Sequence, residues 1–238
     1  LGAQSTLVNN LLVDYNYLNF TGDINRINLW VLGMTEFGKR DLNKAQTRLN
    51  VLDAVYRLTE TSNFRDLKVK SIADEAGITE MTFFNYFQRK EDILKYMMGI
   101  WALDLMILQH SQPLSGEAAI RRVFSHTAQQ VIKHPRLMAN FVASLLTSDI
   151  DPMANDIKAA DRFLLYPDSP ELYEAKIPSG NEILMQHLAE IDPARDHMGT
   201  LLHMASSFYG DIIVAHTAEL DIDMLYSNSL DMIFKNGK

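Results

Sequence analysis

The chain has 238 residues, long enough for one large domain or two small ones with a sizeable core. Its 47% apolar and 22% charged residues are those of a globular protein, and the lack of cysteine excludes disulfides, Cys-ligated zinc and thiol catalysis. A formal net charge of −8 excludes a strong, uniform positive field for nucleic acid.

Residues 1–43 read as an N-terminal extension. Residues 1–33 are either an arm packed through Leu7, Val8, Leu11, Leu12, Tyr15 and Leu18, or sequence upstream of a natural start at Met34. Asn9, Asn10 and Asp14 interrupt the early apolar residues and no basic stretch precedes them, so the segment lacks the form of a signal peptide. No apolar run reaches the roughly 20 residues a membrane-spanning helix needs. A cytoplasmic protein with no membrane partner is the expectation.

Apolar periodicity then predicts a helix over about 44–60, burying Leu49, Leu52, Val55 and Leu58. Two short helices follow, about 69–76 and 80–86, with Gly77 between them and Thr79 capping the second. Two short helices joined by a glycine turn are the sequence form of a helix-turn-helix, whose second helix can enter the DNA major groove. A long helix over about 90–109 carries Ile93, Leu94, Met97, Met98, Trp101 and Leu105 on one face, and no linker separates it from the short pair.

Further helices are predicted near 116–133, 135–147, 152–165, 180–190, 193–218 and 221–235. Starts are marked by Ser115 with Glu117, by Asp151-Pro152 and by Asp192-Pro193, and His134-Pro135 marks a break and restart. The stretch 166–180, with Pro167, Pro170, Pro178 and Gly180, is the main loop. The fold class is all-α, with a three-helix helix-turn-helix domain over 44–96 and a helical domain over 97–238. Residues 44–95 hold nine Lys/Arg against eight Asp/Glu, and residues 96–238 hold ten against eighteen. The acid therefore lies in the C-terminal part, and the reading head is near neutral.

The segment from Thr47 to Lys95 resembles the DNA-binding domain of the TetR/AcrR family of bacterial repressors. The resemblance rests on Ile72-Ala73-Asp74-Glu75-Ala76-Gly77-Ile78-Thr79, on Thr82-Phe83-Phe84-Asn85-Tyr86-Phe87 and on Lys90-Glu91. It covers about 50 residues; the rest is alike only in helical character and length. The resemblance implies that the helix from Glu80 enters the major groove. Thr79, Glu80, Met81, Thr82, Phe84, Asn85, Tyr86 and Lys90 would then lie near a double-stranded operator, with Lys68 and Lys70 as further backbone contacts. Three departures bear on operator choice. Glu80-Met81 stands where a basic or small pair is common, Phe84 replaces a commoner Tyr, and Tyr86 replaces a commoner His. A carboxylate such as Glu80 repels phosphate but accepts from cytosine N4.

The resemblance also gives the C-terminal part the role of effector binding and dimerisation. The last two predicted helices are apolar around more than one face, so either a second copy or other helices of the same chain cover them. The family reading makes the cover a homodimer bundle through Leu201, Phe208, Ile212, Leu225 and Ile233. Trp101, Met106, Phe124, Met138, Phe141, Phe163, Met185, Met204 and Phe208 are either ordinary core or the lining of an adaptable apolar pocket for a small effector. An effector there would tilt the long helix and respace two reading heads. Seven scattered His form no close metal motif, and no Gly-rich phosphate loop or Ser/His/Asp order appears. No cofactor, metal site or enzymatic activity is expected. The alternative is a helical ligand-binding or interaction protein whose helix-turn-helix no longer binds DNA.

Overall fold

The computed structural model describes residues 33, 35–147, 157–194 and 197–235. The arm residues Leu7 to Leu18, Met34 and the Asp151-Pro152 start lie outside the described residues. Within them the regular structure is α1 (Lys39–Thr59), α2 (Val69–Glu75), α3 (Glu80–Phe84), α4 (Asp92–Ser111), α5 (Gly116–Lys133), α6 (Pro135–Thr147), α7 (Ala159–Leu165), α8 (Gly180–Ile191), α9 (His197–Ala218) and α10 (Ile222–Lys235). Short 3-10 turns fall at Phe64–Asp66 and Pro170–Leu172. The fold is all-α, as the periodicity requires.

Three element bounds and one cap differ from expectation, each for a local reason. Helix α1 begins at Lys39, because Gly38 at φ +74° turns the chain into it without any capping side chain. Helix α3 ends at Phe84, and Asn85 and Tyr86 form a turn. Helix α9 begins at His197, because Asp192 Oδ1 accepts from the Ala194 N–H at 2.9 Å and holds Pro193-Ala194 as a turn. At α5, Ser115 makes no side-chain cap; the Gly116 N–H donates to Glu190 Oε2 at 2.8 Å, and Glu117 pairs with Arg121. At α8 a reciprocal capping box forms, which the sequence reading did not anticipate: Ser179 Oγ accepts from the Glu182 N–H at 3.2 Å, and Glu182 Oε2 accepts from the Ser179 N–H at 2.8 Å.

The core is one continuous cluster from the reading head into the C-terminal helices. Leu49, Leu52 and Val55 of α1 meet Ile72, Phe83, Phe87, Ile93 and Leu94 at one end. Along α4 the cluster continues through Met97, Ile100 and Trp101 to Phe124, Phe141, Met204, Phe208 and Tyr226. Each such side chain stabilises the fold by about 1.5–3 kcal/mol on burial. Helix α9 packs on α6, α8 and α10, and α5 is covered by α8 and α10. A second, smaller cluster of Leu42, Ala45, Ala160, Phe163 and Tyr173 joins the start of α1 to α7. Phe163 therefore belongs to that seam and not to the interior where an effector pocket was expected.

Candidate functional site

The turn between α2 and α3 is built by backbone bonds that only a positive φ permits. Gly77 sits at φ +70°, its N–H donates to the Asp74 carbonyl at 3.2 Å, and the Ile78 N–H donates to the Ala73 carbonyl at 2.9 Å. Thr79 then opens α3: its Oγ1 accepts from the Thr82 N–H at 3.1 Å and lies 2.9 Å from Thr82 Oγ1. Phe83 faces inward, fully buried, and Phe87 follows it into the core. That orientation fixes what faces outward.

Met81 is 78% exposed and Phe84 51% exposed, beside exposed Thr79, Glu80 and Asn85. Thr82 and Tyr86 are half-buried on the flank, and Lys68 and Lys70 are exposed at the start of α2. Of the ten residues expected near DNA, two thus stand exposed at the start of α2 and seven, exposed or half-buried, around the outside of α3. Two apolar side chains on it can meet thymine methyl groups.

Lys90 is the exception. Its Nζ donates to the carbonyls of Phe64 at 2.9 Å, Arg65 at 2.8 Å and Leu67 at 2.9 Å, and lies 5.0 Å from the Phe64 ring centre. An ammonium has three protons, and all three are engaged. Partial burial lowers its pKa, against the pull of Glu91 and Asp66. Lys90 fastens the 3-10 turn to the start of α4 and is not placed to meet a phosphate.

Sequence reading missed a groove beside this face. It has a volume of about 840 Å³ and is lined by Lys39, Arg40, Asn43, Lys44 and Arg48 of α1, by Asn85 and Tyr86, and by Lys158. The signal was present in the basic run before residue 44, but an uncapped helix start hid that run from the helical pattern.

Two small cavities, about 50 and 20 Å³, both touch Trp101, Met98 and Phe208. The outer one reaches Ser179, Gly180, Asn181 and Tyr209, and the inner one reaches Tyr56, His134, Met138 and Phe141. Trp101 Nε1 donates to Thr127 Oγ1 at 3.0 Å, and Phe208 stacks near-parallel with Tyr226 at 5.6 Å. Of the predicted pocket residues, Trp101, Met138, Phe141 and Phe208 line the cavities. Phe124 and Met204 are packed core, and Met106 and Met185 are half-buried at its margin. A buried polar group adjoins: Tyr166 OH donates to Asp104 Oδ1 at 2.5 Å, and His126 Nε2 lies 3.6 Å from Asp104 Oδ2. Burial and the Asp104 carboxylate hold the Tyr166 hydroxyl well above its usual pKa.

The expected dimer residues are corrected in part. Leu201, Phe208 and Ile212 are buried against the protomer's own helices, and Leu225 and Ile233 are half-buried. The apolar stripe left outside is Leu202, Ile213 and Val214 of α9 with Met224 and Met232 of α10. Among the described residues no three His, Asp or Glu converge as metal ligands, and no helix is long and apolar enough to cross a membrane.

Residues 51–97 match the family model for bacterial regulatory proteins of the tetR family. No curated protein sequence matches the chain. Among solved structures, FadR of Thermus thermophilus, a TetR family transcriptional repressor in complex with lauroyl-CoA, superposes with a TM-score of 0.54 at 16% identity. The match covers 79% of this chain and 93% of that one. The fatty acid degradation regulator FadR from Bacillus halodurans superposes with a TM-score of 0.51 at 15% identity, over 78% of this chain and 93% of that one. At such identities the likeness is one of fold. Residues 51–97 thus resemble the helix-turn-helix of the tetR family of bacterial regulatory proteins, carried here on an all-helical body.

Proposed function

We propose that this protein is a cytoplasmic, homodimeric repressor that leaves its operator when a small, mostly apolar molecule enters the interior at Trp101 and Phe208. The observation that carries the reading is α4. One unbroken helix holds Ile93 and Leu94 in the reading-head core and Trp101 at both interior cavities. A ligand that displaces Trp101 therefore acts on the element that seats α3. In this reading residues 44–96 form the DNA-binding domain and residues 97–238 bind the effector and dimerise. The exposed stripe of Leu202, Ile213, Met224 and Met232 supports a second copy as its cover. The lauroyl-CoA held by the Thermus protein supports an acyl-bearing effector.

The rival, a helical binding protein with a silent helix-turn-helix, draws on two observations: Lys90 is tied down internally, and Glu80 brings a carboxylate to the outer face. Selection of duplexes from a random-sequence library separates the two. The expected result is an enriched palindromic site, bound with steep salt dependence and released by a medium-chain acyl-CoA. Binding no tighter than to mixed-sequence duplex would overturn the repressor reading.

A further inference from the structure

The basic groove beside α3 belongs to no site described so far. It is framed by three separate elements: the first turns of α1, the turn after α3, and the segment entering α7. Lys39, Arg40, Lys44 and Arg48 come from the first, Asn85 and Tyr86 from the second, and Lys158 from the third. Among the described residues no carboxylate lines it. Asp41 lies at its margin, paired with Lys44 at 3.1 Å, and Arg48 is committed to Asp161 at 2.8 Å. The uncommitted charge is therefore carried chiefly by Lys39 and Arg40, both exposed on the first turn of α1.

We propose that this groove is a second contact surface for the phosphate backbone of duplex DNA, extending the grip of the protein beyond the face of α3. The proposal rests on the DNA-binding reading. Two observations choose the duplex over a free phosphorylated molecule. The groove opens at Asn85 and Tyr86, so it is continuous with the outer face of α3. The reading head itself is also poor in phosphate partners, because its charges nearly cancel over residues 44–95 and Lys90 is turned inward. Cations at the start of α1 supply what the head lacks.

The test uses the full chain and a long mixed-sequence duplex, with affinity measured across a series of salt concentrations. Each lost phosphate contact lowers the slope of log K against log salt by roughly 0.9. The double variant K39Q/R40Q is expected to lower the slope by about 2. Lys133→Gln, an exposed cation on α5 outside the groove, is the control and leaves it unchanged. The sequence preference recovered from a random library stays the same, because phosphates carry no sequence information. If the wild type binds duplex and K39Q/R40Q keeps its full slope, the groove proposal is overturned and the DNA-binding reading stands. If the wild type binds no duplex, both fall. If inorganic pyrophosphate raises the melting temperature of the wild type but not of K39Q/R40Q, and the slope is unchanged, the groove serves a free phosphate and the duplex assignment is wrong.

Discussion

Arg48 grips Asp161 through two parallel bonds, Nε to Oδ1 at 3.0 Å and Nη2 to Oδ2 at 2.8 Å, and so joins α1 to α7 across the second core cluster. Asp161 is wholly buried and also accepts from Tyr96 OH at 3.0 Å and from the Lys158 N–H at 2.9 Å. Burial pushes its carboxyl pKa up, while Arg48, Tyr96 and the Lys158 N–H draw it down. Removing one partner leaves an uncompensated charge inside. Arg48→Met is expected to lower stability by about 3–5 kcal/mol in urea denaturation, and R48M/D161L to recover most of that loss. A loss below about 1 kcal/mol would place the pair with ordinary surface bridges.

Lys90 sorts stability from binding. With three carbonyls as its partners, Lys90→Met is expected to lower stability by about 1–3 kcal/mol through lost charge-assisted bonds. The salt slope of DNA binding should not change. A lowered slope with an unchanged urea midpoint would return Lys90 to the backbone contacts.

His134 gives the fold an acid-sensitive point. Its ring stacks on Tyr56 at 4.0 Å, and burial, with the nearby Lys133, lowers its pKa to about 4. The folded state prefers the neutral ring, whereas the unfolded chain takes up a proton near pH 6.5. Stability from this group is therefore complete above about pH 6.5 and is lost as the pH falls towards 4. Allowing for solvent screening, the loss is about 1–2 kcal/mol. His134→Phe keeps a stacking ring without the titration. The slope of urea midpoint against pH between 6.5 and 4 should flatten in that variant; an equal slope would assign the acid sensitivity to other groups.

The two stripes of α9 can be told apart by opposite outcomes. Leu202→Glu, on the exposed stripe, is expected to shift sedimentation from dimer to monomer. It should leave the unfolding of the monomer within about 0.5 kcal/mol of wild type. Leu201→Ala, on the buried stripe, is expected to cost about 2–5 kcal/mol without a direct effect on association. A monomeric wild type, or a dimer indifferent to Leu202→Glu, would move the interface elsewhere.

Much of the fold was legible in the residues. The spans 116–133 and 135–147 match α5 and α6 because Pro135 and flanking polar residues punctuate them. The outer face of α3 was legible because Gly77 and Thr79 fix its start, and Phe83 and Phe87 fix its inward side. Lys90 was not, because a lysine at a helix start looks the same whether a phosphate or three carbonyls await it. Nor was the choice between Leu201 and Leu202, since a helix that is apolar on several faces gives no phase to the period. Phe163 was misplaced because a second core seam leaves no mark on the pattern of the first. The groove cations were missed because Lys39 and Lys158 are far apart in sequence and meet only through the packing of α1 on α7.

The small size of the two cavities at Trp101 and Phe208 bears on time as well as affinity. Cavities of about 50 and 20 Å³ are far smaller than the several hundred Å³ of a typical ligand site. A molecule that enters must wait for Trp101 to leave Thr127 and for Phe208 to leave its stack. The receptive form is then a minor population, and apparent affinity is reduced by its fraction. Uptake levels off at the opening rate however much ligand is supplied, and release waits on the same motion. Under the effector reading proposed above, such gating would make the response follow sustained supply more than brief pulses.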